Sequence, residues 1–286
     1  MQGLTAIVSF PRAGNHLVRY IIEHTTKGLT LGEPSGKDED GRITDQPLAF
    51  KDTLQGALSH VQRDMAVGQK VHFVHVIRAI YDAALSVTGV APQPYDRALY
   101  IQRHPVENYL AYYQGYTIPQ AGVDGEDVAQ CKAIFEWLLD PSEPTEKERE
   151  YFAPTIEHHL GKLAENLVQF YTVLPIRDQG SRMLFFYEDL VGEDKILHVN
   201  NILGLMGIHP EPARYFLETI NERYKESLGA PDRKPTSGTD FNFYRKKFVK
   251  NKEKENILES AAYNAFKQFP AVTEKYFKHL KEKNNE

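Results

Sequence analysis

Residues 4–22 read Leu-Thr-Ala-Ile-Val-Ser-Phe-Pro-Arg-Ala-Gly-Asn-His-Leu-Val-Arg-Tyr-Ile-Ile. The first seven, Leu4 to Phe10, are apolar and partly β-branched, the pattern of a short buried strand. Pro11 to Asn15 form a turn around Gly14. From His16 onward, Leu17, Val18, Tyr20, Ile21 and Ile22 take the apolar positions of a helix. A strand, a Gly-containing loop and a helix follow one another. Such a loop presents backbone N–H groups and the positive end of the helix dipole, which suits phosphate or sulfate. Arg12 adds a permanent charge with a forked donor set. Asn15 and His16 add side-chain donors. The loop lacks the Gly-Lys-Ser/Thr ending of a phosphate loop, so its spacing alone also fits an ordinary strand-to-helix turn.

Working outward, residues 30–50 form a polar Gly/Pro/Asp-rich loop, and 53–67 are weakly helical. Residues 70–77 alternate well enough for a strand, 79–87 suit a short helix, and Pro92 and Pro94 punctuate. Residues 98–102 make a short apolar strand that stops at Arg103-His104-Pro105. Pro105 fits the first turn of a helix, which Val106 to Tyr113 continue. Helices are expected over 126–139 and 146–171, separated by Pro141 and Pro144. Residues 182–187 read as a buried strand followed by Glu188-Asp189. Helices over 193–206 and 210–226, a loop over 228–243 and a helical end over 256–283 complete the chain. The segment 245–254 holds Arg245, Lys246, Lys247, Lys250, Lys252 and Lys254. No internal repeat or low-complexity block stands out.

Strands alternating with helices indicate an α/β fold: a central parallel sheet flanked by helices, here a single domain over 1–286. In such sheets ligands bind at the carboxyl ends of strands. The places to look are therefore Pro11, Arg103 and Glu188.

Composition narrows the function. With 34 Lys plus Arg against 39 Asp plus Glu, the net charge is −5, which argues against a nucleic-acid partner but not against a local basic pocket. The one cysteine, Cys131, excludes a disulfide framework and a cysteine-based zinc site, and no metal is indicated. No run approaches the ~18–20 apolar residues of a membrane span, and the N-terminus lacks a signal-peptide pattern. A soluble cytoplasmic protein without a membrane partner is expected.

Two further corners resemble the first. Arg103 ends a strand and precedes a helix start, which again suits an anion. Tyr187 ends the aromatic strand Phe185-Phe186-Tyr187, a pattern that fits the core and fits equally a ring facing an adenine. The late basic segment adds charge that is available to fold over a nucleotide.

The ordered set resembles the sulfotransferase family that uses 3′-phosphoadenosine 5′-phosphosulfate (PAPS). That family opens with a strand and a Pro-Lys/Arg-Ser-Gly-Thr/Asn-Thr-Trp loop around the 5′-phosphosulfate; Pro11-Arg12-Ala13-Gly14-Asn15-His16-Leu17 stands in its place. An Arg-Asn/His-Pro corner for the 3′-phosphate opens a helix ending Ser-Tyr-Tyr, as Arg103-His104-Pro105 through Ala111-Tyr112-Tyr113 does here. A Tyr-Glu-Asp-Leu strand end is present as Tyr187 to Leu190, and a closing Arg-Lys-Gly segment as Arg245-Lys246-Lys247. Ala13 replaces the loop Ser, His16 a Thr, Leu17 the Trp, Ala111 the Ser of the second corner and Lys247 the Gly of the closing segment.

The resemblance implies sulfuryl transfer from PAPS to a hydroxyl or amine of a small-molecule or carbohydrate acceptor, with 3′,5′-phosphoadenosine as product. Arg12 is expected at the leaving oxygen. Arg12, Ala13, Gly14, Asn15, His16, Arg103, Ala111, Tyr187, Arg245, Lys246 and Lys247 are the expected cofactor-binding residues. The acceptor's proton calls for a base near neutral pKa. In the cytosolic branch a His follows a strand some two dozen residues before the 3′-phosphate Arg. The strand 70–77 offers His72 and His75, on opposite faces of an ideal strand. His75, nearer the carboxyl end, is the expected base, with His72 and Glu33 as alternatives. Rival readings are a metal-dependent nucleotide phosphotransferase, with Asp189 its nearest metal ligand, and a non-catalytic nucleotide-binding member of the fold.

Overall fold

The structure, a computed structural model, describes residues 3–26, 28–37, 43–45, 66–116, 125–208, 218–219, 222–223 and 241–284. The chain, read above as one domain, divides into two compact units: Met1–Arg103 with Asn166–Thr239, and His104–Glu165 with Asp240–Glu286.

The first unit is built on a five-stranded sheet. Its strands are β1 (Thr5–Ser9), β2 (Leu29–Leu31), β5 (Ala66–Val71), β6 (Arg97–Gln102) and β7 (Arg182–Phe186), in the order β2-β5-β1-β6-β7. Every pairing is parallel. A two-stranded antiparallel sheet of β3 (Pro34–Lys37) and β4 (Ile43–Asp45) lies within the stretch read as a polar loop, where β2 was also missed. All five residues of β1 are buried, as expected of a parallel strand covered on both faces. On one face Ile7, Val67, Leu99, Ile101 and Phe185 form a single apolar cluster with Leu17, Val18, Ile21 and Ile22 of α1 (Asn15–Thr26). Leu190 and Val191 of α6 (Tyr187–Val191) and Val199, Ile202 and Leu203 of α7 (Lys195–Leu205) complete it. On the other face, Tyr100 meets Phe170 edge-on, the ring centroids 5.3 Å apart.

The register decides where the site lies. Val8 pairs with Val71, Ser9 with Ile101, and Gln102 with Phe186. The carboxyl ends of β1, β5, β6 and β7 therefore form one edge. Phe10, His72, Arg103 and Tyr187 are the first residues beyond them.

The sequence misplaced one strand. β5 spans Ala66–Val71, and the next helix, α2 (Val74–Thr88), begins inside the stretch 70–77 expected to be a strand. The true strand reads polar through Gln69 and Lys70. Gln69 is fully buried because the Tyr95 hydroxyl donates to its Oε1 at 2.7 Å. A satisfied polar side chain is tolerated in a buried strand, and hydrophobic alternation does not register it.

The second unit is helical. It holds α3 (Pro105–Tyr116), α4 (Gly125–Leu139), the first part of α5 (Glu146–Thr172) and four late helices: α8 (Phe243–Phe248), α9 (Lys252–Phe266), α10 (Pro270–Tyr276) and α11 (Lys278–Asn284). The expected helix over 256–283 is thus broken twice. Most of the helix expected over 210–226 and most of the loop expected over 228–243 lie outside the described residues. Among the described residues no helix is long and apolar enough to cross a membrane.

Candidate active site at the strand ends

After β1 the chain turns sharply. The Ala13 N–H donates to the Phe10 carbonyl at 3.1 Å. Arg12 takes a left-handed φ of 69° and Gly14 a φ of 105°. A Cβ on Gly14 would sit 2.4 Å from Cδ2 of Tyr187, so only glycine lets the loop lie against that ring. Asn15 then anchors the helix start: its Nδ2 donates to the Ile7 carbonyl at 2.8 Å. The helical bond from Val18 to Gly14 closes the first turn of α1, whose N–H groups the helix itself does not consume.

A left-handed arginine is disfavoured by roughly 1–2 kcal/mol relative to the right-handed form. Arg103 holds it in place. Its Nη1 donates to the Arg12 carbonyl at 3.2 Å, and its guanidinium lies 5.5 Å from the centroid of the Tyr187 ring. Arg103 is only 4% exposed, whereas Arg12 is exposed to solvent. Strain retained by a packed surrounding is a mark of functional loops. Tyr187, expected to face an adenine, is buried against Gly14 with Arg103 over its ring.

His72 stands beside Ser9. Its Nδ1 donates to the Ser9 carbonyl at 3.0 Å. A carbonyl only accepts, so the proton resides on Nδ1 and the lone pair on Nε2. The His72 backbone is held too: its N–H donates to Glu33 Oε1 at 2.9 Å, and its carbonyl accepts from Asn166 Nδ2 at 2.9 Å. Burial, then the charge of Lys70, lowers the His72 pKa to about 3; His16 and Arg19 act the same way, and the bond to Ser9 opposes them. His16 is lowered to about 4 by burial, Arg19, Lys70 and Arg12, in that order. Both rings are neutral at neutral pH. Burial also pulls the Lys70 ammonium down, against Glu33, whose Oε2 is 3.9 Å away. Arg19 is fully buried and donates from Nε to Thr30 Oγ1 at 2.9 Å, and the Thr30 N–H donates to Glu23 at 3.1 Å.

His75 occupies a different setting from the one expected. It lies in the first turn of α2, exposed, with its backbone N–H donating to Gln169 Oε1 at 3.2 Å. The strand end belongs to His72. Lys70 and His72 share a face by their spacing of two, a signal the displaced strand boundary concealed. Asn166, which touches the His72 carbonyl, carries no local sequence signal at all.

The remaining expected residues belong to the second unit. Ala111 is buried in α3. Arg245, expected in a closing segment over the cofactor, lies in the helix α8 and is committed to carboxylates. It pairs with Glu259 at 2.6 Å, Glu107 at 3.7 Å and Glu255 at 3.9 Å. Glu107, fully buried, also accepts the backbone N–H groups of Tyr244 and Arg245 at 3.1 and 2.9 Å. Lys254 is buried as well, with Nζ donating to the carbonyls of Trp137 and Asp140 just past the end of α4. Lys246 and Lys247 are exposed, and Lys247 Nζ lies 4.9 Å from the centroid of Phe248.

Neither a family model nor a curated protein sequence matches the chain. Solved structures do. Mouse sulfotransferase SULT7A1 complexed with PAP aligns with a TM-score of 0.52 and 12% identity, over 95% of this chain and 86% of that one. The sulfotransferase domain of the Synechococcus PCC 7002 olefin synthase gives a TM-score of 0.40 and 14% identity, over 91% and 94%. The sulfotransferase domain of the curacin biosynthetic pathway gives 0.39 and 13%, over 94% and 97%. The likeness to the mouse enzyme is one of architecture, and on that ground this α/β chain has the sulfotransferase fold.

Proposed function

We propose that the protein is a sulfotransferase that takes its sulfuryl group from PAPS and delivers it to a hydroxyl or amine of a small-molecule or carbohydrate acceptor. One observation carries this reading: the register brings the Arg12 loop, Arg103 and His72 to a single sheet edge, with Arg12 held left-handed by Arg103. The donor set fits an anionic nucleotide. Arg12, the backbone from Ala13 to His16 and the first turn of α1 would hold the 5′-phosphosulfate, and Arg103 the 3′-phosphate. When bound, PAPS supplies an activated sulfuryl group on a phosphate leaving group.

The chain's own residues supply position, charge and a base. Arg12 is charged at any working pH and offsets negative charge as it develops on the leaving oxygen. His72, rather than His75, takes the acceptor's proton on Nε2. The Ser9 carbonyl keeps Nδ1–H in place and stabilises the imidazolium that forms. Lys70, His16 and Arg19 make that ring a poor base by itself. An anion held at Arg12 opposes those charges and raises its basicity. The ring therefore becomes a competent base only when the donor site is filled.

Thermal shift with 3′,5′-phosphoadenosine, 5′-AMP and ATP with Mg²⁺ tests the nucleotide. At about 100 times its dissociation constant a ligand adds roughly 2.7 kcal/mol of stability. A shift specific to 3′,5′-phosphoadenosine is expected. One seen only with ATP and Mg²⁺ would instead point to a phosphotransferase. Nucleotide binding without turnover of sulfur-labelled PAPS, across phenols, alcohols, amines and sugars, would leave a binding protein.

A further inference from the structure

His72 lies in a two-residue corner between β5 and α2, and a ring on so short a connection points wherever its backbone is held. Phe73, the residue that caps α2, is extended at φ −118° and ψ 111° and offers no side-chain cap. The cap comes from α5 instead. Asn166 Oδ1 accepts the Val74 N–H at 3.1 Å, and Gln169 Oε1 accepts the His75 N–H at 3.2 Å. These two carboxamides are three residues apart and so share a helix face. Asn166 does one thing more: its Nδ2 donates to the His72 carbonyl at 2.9 Å. The same nitrogen lies 3.4 Å from the hydroxyl of Tyr100, and Asn166 itself is 4% exposed.

We infer that Asn166 is a positioning residue: its carboxamide grips the peptide groups on both sides of Phe73 and thereby sets the direction of the His72 ring. This rests on the reading of His72 as the base. A single planar amide offers an acceptor on one atom and donors on the other. Here the acceptor meets the amide that starts α2, and a donor meets the carbonyl of the base. Glu33 takes the His72 N–H from the other side, so the backbone of that one residue is held at both ends. The ring is then free to do only what its bond to Ser9 allows. The substitution Asn166→Asp keeps the acceptor and loses the donor, releasing the His72 carbonyl while leaving α2 capped. Gln169 caps the same helix start through its Oε1 and serves as the control.

The ring ¹⁵N spectrum of the full chain reads this directly and needs no acceptor. Wild type is expected to show His72 as a single Nδ1–H tautomer, assigned by the signal that disappears in His72→Gln. In Asn166→Asp the tautomer becomes mixed. Turnover, followed as 3′,5′-phosphoadenosine released when PAPS passes its sulfuryl group to a phenol or to water, falls about 10- to 100-fold, as expected for a misplaced catalytic group. Affinity for 3′,5′-phosphoadenosine is retained. Gln169→Ala keeps the tautomer. An unchanged spectrum in Asn166→Asp overturns the inference, as does equal loss in Gln169→Ala, which would make capping of α2 the whole effect. If Asn166→Asp does not fold, Tyr100→Phe must move the same signal in the same direction by less; no movement there also overturns it. Full turnover in His72→Ala refutes the base reading separately. The tautomer result would then describe an oriented histidine that is not the base.

Discussion

The protein carries two basic segments that its sequence presents as equals, and they do opposite work. Around Arg12 the charge is exposed, the backbone is left-handed, and no ion pair among the described residues includes that side chain. Around Arg245 the charge is spent on Glu107, Glu255 and Glu259, and Lys254 is spent on the carbonyls at the end of α4. The first segment leaves its charge exposed. The second uses charge as internal bracing. What separates them is the company each keeps in three dimensions: backbone and aromatic partners in one, carboxylates in the other.

The sharpest way to break this comparison is to remove both arginines. Arg12→Ala is expected to lower PAPS turnover by roughly 10²–10³-fold, the usual effect of losing one charge-stabilising donor. Its melting temperature should stay within about 2 °C of wild type, a change of at most ~1 kcal/mol. Arg245→Ala is expected to do the reverse. It leaves Glu107 buried without its cation, a loss of about 3 kcal/mol, or roughly 6–12 °C. An unchanged melting temperature with lost nucleotide affinity in Arg245→Ala would return that residue to the cofactor site.

Gly14→Ala comes next, at about 2 kcal/mol, from the left-handed backbone and from contact with Tyr187. Tyr187→Ala in the same chain should relieve the contact part of that loss and leave the backbone part, which calorimetry of the three variants separates. Counted per pH unit and per ring, the effect on acid stability is smaller. The folded pKa values of His16 and His72, about 4 and about 3, lie below the unfolded value of 6.5. The unfolded chain therefore binds protons first as pH falls below 6.5. Stability should decline through that window by up to about 1.4 kcal/mol per pH unit for each ring. His16→Gln and His72→Gln each flatten the decline. Saturating 3′,5′-phosphoadenosine should flatten it too if the anion lies where proposed.

Much of this was legible in the chain itself. The β1–loop–α1 unit announces itself through an unbroken apolar strand, a glycine and a helical repeat. The β6–α3 corner does so through Pro105. The histidine corner was harder to see. β5 hides Gln69 and Lys70 inside a buried strand because Tyr95 and Glu33 satisfy them from far along the chain. Its end was therefore read several residues late, and His75 was favoured over His72. The role of Arg245 was invisible for the same reason: Glu107 and Glu259 lie 138 and 14 residues away in sequence. Local pattern reports what an element needs to form. It does not report which distant partner has already claimed a side chain.

Position 12 carries a backbone angle at odds with its residue. Glycine enters the left-handed basin freely, and arginine does not. The residue that would make this fold most durable is therefore not the one it carries. Arg12→Gly should yield a protein that melts higher and does less, a trade of durability for activity concentrated in one backbone angle.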